Sequence, residues 1–205
     1  MRKIAITLLL ILSIALPSLA QTNPSLFDLS SGSYSMTAWA STSPAGTYPT
    51  NMIFHRQTVF TDPTLTTEMT QDYTSAYSLT SGARINGQGA NGFSFINSGS
   101  TSGQGFLGTA VLGLNATGRQ DIKVTFTAGT QAVGTRQYAL RLQYKIGASG
   151  TWTDVPGPVE YVANSTASHS QTFSQISLPT ACNNQAAVYI RWKYYYSGSA
   201  TGARP

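Results

Sequence analysis

Apolar and polar residues alternate strictly in four stretches, the signature of strands whose successive side chains point to opposite faces of a sheet. In "DIKVTFTA", Ile122, Val124 and Phe126 take one parity and Lys123, Thr125 and Thr127 the other. "YALRLQYKI" sets Tyr138, Leu140, Leu142, Tyr144 and Ile146 against Ala139, Arg141, Gln143 and Lys145. "VYIRWKYYY" sets Val188, Ile190, Trp192, Tyr194 and Tyr196 against Tyr189, Arg191, Lys193 and Tyr195. "GFSFI" offers Phe93 and Phe95 ahead of a Ser/Gly-rich loop. A strand is also expected around Met52 to Phe54, within long connections from Pro44 to Asp72. Helical periodicity is hard to find beyond the first twenty residues.

Turn chemistry separates these stretches. In "KIGASGTWTDV" the glycines Gly147 and Gly150 supply the permissive backbone of a hairpin, with Trp152 opening the return strand. Many short strands divided by Gly, Ser, Asn and Pro predict an all-β fold, an antiparallel two-sheet β-sandwich of jelly-roll type, occupying residues 21–205 as one domain.

The first twenty residues follow another pattern. Arg2 and Lys3 precede an apolar run from Ile4 to Leu16, and Ser18-Leu19-Ala20 ends it with small residues where a signal peptidase reads. This predicts a secretory signal peptide over 1–20 and a mature chain from Gln21. The run is too short for a membrane span of roughly 20 residues and Pro17 breaks it; no later segment is apolar enough, and no Cys near the cut could carry a lipid. Export to the outside or to the cell surface is expected.

Charge changes the picture little. Of 12 Lys and Arg, two belong to the signal, so ten face 7 Asp and Glu and the mature chain carries about +3; this is too weak a bias to predict specific nucleic-acid binding. Only 9% of residues are charged, as suits a secreted β protein. The single cysteine, Cys182, forms no internal disulfide and reads as a small buried hydrophobe.

"GTYPTNMIFHR", "SGARINGQGANGFSF", "VLGLNATGRQDIKVTFTAGT", "YALRLQYKIGASGTWTDV" and "IRWKYYYSGSATGARP" together resemble a β-sandwich module of large secreted Gram-negative proteins. Such proteins use the type IX pathway, and the module is often joined to lamin-tail-like, nuclease or phosphatase domains. The resemblance covers most of 26–205 and implies no catalytic residues. In that family the segment matching "GARP" runs on into a further strand, so the resemblance implies a chain truncated at its C-terminus and a sheet with an unpaired edge or a gap.

Candidate chemistry is sparse. Two G-x-G-x-x-G matches, "GQGANG" at 87–92 and "GQGFLG" at 103–108, neither follow a strand nor open a helix, and read as turn glycines. G-x-S-x-G is absent. His55 and His169 stand alone in sequence; His55 could be a site residue but is better read as an imidazole with a local hydrogen bond. The two histidines and Cys182 lack zinc spacing. The acids Asp28, Asp62, Glu68, Asp72, Asp121, Asp154 and Glu160 never fall twice on one parity of one strand, as a glycosidase pair would want, and read as turn or solvated residues. Structural calcium is open, with no ligand set marked; no other cofactor is expected. The sequons at Asn115 and Asn164 carry little weight in a bacterial exporter.

The sharper candidate is a surface. Lys123, Arg141, Lys145, Arg191 and Lys193 all lie on the parity opposite the apolar residues, with Tyr189 and Tyr195 among them. On one shared sheet they would make a basic, tyrosine-bearing outer face with no acid to offset it, able to stack on sugar rings and meet acidic groups. The alternative is a soluble face whose long stems cover the tyrosines. Trp39 and Trp152 are likewise sugar platforms or, more commonly, core residues. The expected function is a non-catalytic extracellular module that binds a glycan-like ligand, such as a polysaccharide or acidic glycan, or spaces other domains of the same polypeptide. The alternative is part of a secreted hydrolase, a nuclease or phosphatase, whose catalytic domain is absent, or a hydrolase using His55 and loop acids.

Overall fold

The structure, a computed structural model, describes residues 21–57, 66–78, 85–97, 107–134, 137–157, 159–163 and 169–197. The expected signal peptide, Asp62, Asn164, most of the second glycine motif and the closing "GSATGARP" lie outside the described residues. The strands are β1 (Leu26–Asp28), β2 (Met52–Gln57), β3 (Gln71–Asp72), β4 (Ile85–Gly87), β5 (Phe93–Phe95) and β6 (Leu107–Asn115), followed by β7 (Lys123–Gly129), β8 (Tyr138–Ile146), β9 (Thr153–Asp154), β10 (Glu160–Val162), β11 (Ser170–Ser177) and β12 (Val188–Tyr196). Among the described residues no helix is long and apolar enough to cross a membrane.

Eight strands form one sheet in the order β10-β8-β12-β6-β2-β3, with β9 on β8 and β1 on β6. All pairings are antiparallel except β1 with β6, where Leu26 lies beside Gly113. A side chain at Gly113 would put its Cβ 2.8 Å from the Ser25 carbonyl oxygen, so glycine there lets the first strand approach. The expected hairpin joins β8 to β9: Gly147 takes a φ of 74° and its carbonyl accepts from the Gly150 amide at 3.2 Å. Trp152, ahead of the return strand, is buried.

Among the described residues the second layer consists of two separate ribbons, β7 with β11 and β4 with β5. The chain is thus an all-β sandwich in which, among the described residues, one layer is continuous and the other is split. Between the layers Phe54, Tyr73, Tyr77, Tyr138, Leu142 and Ile190 form the centre of the core. Trp39 closes one side, edge-on to Tyr77 at 5.4 Å and to Phe54 at 6.3 Å, so both weighed tryptophans pack rather than stand as platforms. Cys182 is buried, and burial pushes its thiol up to about 11, as a hydrophobe's would be.

The first glycine motif is the β4–β5 turn, where Gly89 and Gly92 take φ of 58° and 78°. Strand β6 escapes the alternation test because both its faces are covered: Ala110, Leu112 and Leu114 face one way, Thr109 and Val111 the other, and all are buried.

Candidate functional site

The register of the large sheet decides where the expected site residues lie. On the side away from the second layer, paired positions carry Asp72, His55, Thr109, Lys193, Arg141 and Glu160 in one row across β3, β2, β6, β12, β8 and β10. The next row carries Ile53, Val111, Arg191, Gln143 and Asp154. Tyr189 and Lys145 are paired one step further on. Six of the seven expected ligand residues, Tyr189, Arg191, Lys193, Tyr195, Arg141 and Lys145, therefore share a face. Lys123 does not: it opens β7 in the other layer, where it is exposed.

Two features of this face correct the sequence expectation. It is not an outer face, since Lys193, Lys145 and Arg191 keep 0%, 1% and 1% of their surface and both tyrosines are buried. Nor does it lack acids. Glu68 pairs with Lys145, Asp154 and Glu160 pair with Arg141, and Asp72 lies 3.4 Å from His55. Asp154 and Glu160 sit on strands of two and three residues, too short to show a parity, and Glu68 comes from a connection.

The groups are wired pairwise. Lys145 Nζ donates to Glu68 Oε1 at 2.6 Å, while Trp152 Nε1 and Gln21 Nε2 donate to Glu68 Oε2 at 2.6 and 2.7 Å. Burial would raise the Glu68 carboxyl, but these hydrogen bonds outweigh it and hold its pKa below the usual value. Arg191 donates to Gln143 Oε1 at 2.7 Å and to the Thr67 carbonyl at 3.1 Å, with its guanidinium 4.3 Å from the Trp152 ring centroid. Gln143 passes the chain to Asp154 at 2.7 Å; Arg141 bridges Asp154 at 3.1 Å and Glu160 at 3.2 Å, and the Tyr195 hydroxyl also bonds Glu160. Burial depresses the Lys193 ammonium to about 8.

His55 is 1% exposed with both ring nitrogens engaged, Nε2 2.8 Å from the Thr22 carbonyl and Nδ1 3.3 Å from the Thr109 hydroxyl. The carbonyl can only accept, so Nε2 carries the proton and Nδ1 receives the threonine's. Burial pushes the imidazole down to about 4 despite Asp72 at 3.4 Å, leaving it neutral at pH 7. Asp72 is occupied by the Thr22 amide and hydroxyl at 2.8 and 2.7 Å. This is a clamp on the segment before β1. His169 makes a local bond, its Nδ1 3.0 Å from the Tyr161 hydroxyl. Among the described residues no three His, Cys, Asp or Glu are grouped to hold a metal.

The other side of the sheet carries a groove of about 1510 Å³, which runs between the layers. Its floor is the apolar face of the large sheet, including Ile190, Trp192, Tyr194 and Leu140. Phe95 stacks on Tyr194 at 5.4 Å and Tyr194 on Tyr138 at 5.0 Å; further along β12, Phe126 meets Trp192 edge-on at 5.8 Å. Lys123 stands at its border, and Asn86 lines it with its side chain 1% exposed and both carboxamide atoms without a hydrogen-bond partner. Alternation places Phe126, Tyr138, Trp192 and Tyr194 on the apolar parity of their strands, and nothing in their spacing marks a space between the layers.

Comparison of the chain with protein-family models, with curated proteins and with solved structures finds no match.

Proposed function

We propose that the chain is a non-catalytic extracellular β-sandwich module, a binding or spacing unit of a larger secreted or cell-surface protein, with the interlayer groove as its ligand site. The jelly-roll connectivity, the export signal and the likeness to modules of type IX-secreted proteins belong to this reading. The observation that carries it is the groove: an aromatic-lined space between the layers beside a buried, unpaired Asn86 carboxamide, while Lys145, Arg141 and their acids on the opposite face already pair within the protein. Aromatic floors stack on sugar rings, and Lys123 at the border suits an acidic glycan. Of the residues expected to meet ligand, Lys123 keeps that role, and the other six serve the sheet.

A glycan array and pull-down on insoluble polysaccharides test the reading. Binding should fall in Trp192→Ala and Lys123→Ala and persist in Tyr189→Ala. No ligand of any kind would leave the spacer role. Hydrolytic turnover that vanishes in His55→Ala would replace the module reading with the hydrolase one.

A further inference from the structure

The split in the second layer has a direction. Hydrogen bonds from the Thr130 amide to the His169 carbonyl at 2.8 Å and from the Leu178 amide to the Ile122 carbonyl at 2.9 Å fix which β7 residues face β11. Antiparallel ladders alternate, so the amides and carbonyls of Lys123, Thr125, Thr127 and Gly129 point the other way. That way is the groove: β7 lines it from Ile122 to Thr130, whereas β11 reaches it only at Ser170 and Gln175. The same holds opposite. Phe93–Phe95 line the groove, whereas β4 contributes only Asn86, and β4's far edge is bonded from the Gly87 amide to the Tyr77 carbonyl at 3.1 Å. Among the described residues, β7 pairs with β11 alone and β5 with β4 alone. Two main-chain edges therefore front one aromatic floor.

A third strip repeats the pattern. From Ser33 to Thr37 exposure alternates, Tyr34 and Met36 half-buried against the core and their neighbours exposed, yet the strip belongs to no ladder. It too lines the groove. The β7 edge carries none of the usual protection in its middle: the irregularity of this ribbon falls on β11 between Phe173 and Ile176, and Lys123 stands only at one end.

Resting on the reading of the groove as a ligand site, we propose that its ligand is an extended polypeptide strand of another protein. The strand adds to the β7 edge and lays every second, apolar side chain on the floor at the half-buried Trp192 and Leu140. Unpaired amides and carbonyls at strand spacing match a polypeptide backbone, and an apolar floor matches alternate side chains, which is how sheet-edge recognition divides affinity from specificity. A sugar ring can stack on this floor, but its hydroxyls do not repeat at the spacing of a strand's amides and carbonyls. With seven residues in β7, the added strand spans about seven residues, roughly 23 Å at about 3.3 Å per residue.

The test uses the chain from Gln21 and a phage library of nonapeptides with apolar residues fixed at alternate positions, beside the same library with proline at the centre. The selected peptides should bind, the proline library should not, and bound peptide should slow hydrogen exchange at the Lys123, Thr125, Thr127 and Gly129 amides at least tenfold. Thr127→Pro removes an amide that β11 does not use and should weaken binding at least tenfold; Trp192→Leu checks the floor should the proline variant not fold. Glycan capture at the groove with no peptide selected would overturn the strand while keeping the binding module. Neither peptide nor glycan bound would remove both. Self-association that protects the same four amides would make the occupant a second copy and overturn the proposal of a foreign strand.

Discussion

The two faces of the eight-stranded sheet are built from the same strands by the same alternation, yet they solve opposite problems. One is packed with charge: eight ionic side chains, a neutral imidazole and two tyrosines, nearly every one with a named partner. The other is packed with rings and is left partly unfilled. Burial alone does not separate a functional surface from a structural one. A buried ion must be paired at once, because an unpaired one costs several kcal/mol, so a charged face under cover has no capacity left for a ligand. An apolar face loses only dispersion and hydration when underfilled, and so can be left open.

Breaking the charged face should cost most. Arg191→Ala strips Gln143 and the Thr67 carbonyl of their donor and the Trp152 ring of its cation, and should destabilise by about 3–4 kcal/mol in urea unfolding. Acid tests the same face. The folded imidazole of His55 protonates near 4 and the unfolded one near 6.5, so on acidification the unfolded chain takes up the proton first. The stability present above pH 6.5 is therefore lost as pH falls toward 4, by about 3 kcal/mol in full, and His55→Gln should flatten that part of the profile. Lys193 acts in the same sense at the alkaline end: its folded pKa near 8 lies below the unfolded 10.5, so stability should rise with pH between them.

The ring face should yield more cheaply. Trp192→Ala should cost about 1–2 kcal/mol, below the about 3–5 of a closed core, because the half-buried ring borders the groove; ligand binding should suffer more than the midpoint of unfolding. Lys123→Ala, at the border, should shift stability by less than about 0.5 kcal/mol. If Trp192→Ala proved as costly as Arg191→Ala, the contrast between the faces would be lost.

Much of the sandwich was legible because alternation survives where one face differs from the other: β7, β8 and β12 announce themselves, and Gly147 and Gly150 mark their hairpin. β6 stayed hidden, since cover on both sides removes the contrast, and β11, "SQTFSQIS", because only Phe173 among its eight residues is buried. The charged face was read correctly in membership for six residues and wrongly in exposure. Alternation reports which side chains share a face, whereas what covers that face comes from Gln21, Thr67 and Glu68, distant in sequence and without a pattern of their own. The groove was invisible for a related reason: Phe126 and Trp192 carry the same apolar signature whether or not a neighbour fills the space beside them.

The place of β12 bears on how the sheet is assembled in time. It lies between β8 and β6, pairing Val188 with both Ile146 and Leu114, and joins the two halves of the sheet. Yet among the described strands it is the last to be synthesised. Until residues 188–196 emerge, β6, β2 and β1 on one side and β8, β9 and β10 on the other have no common partner, and the loops to be closed are long. Cotranslational folding of the large sheet is thereby postponed until β12 has emerged.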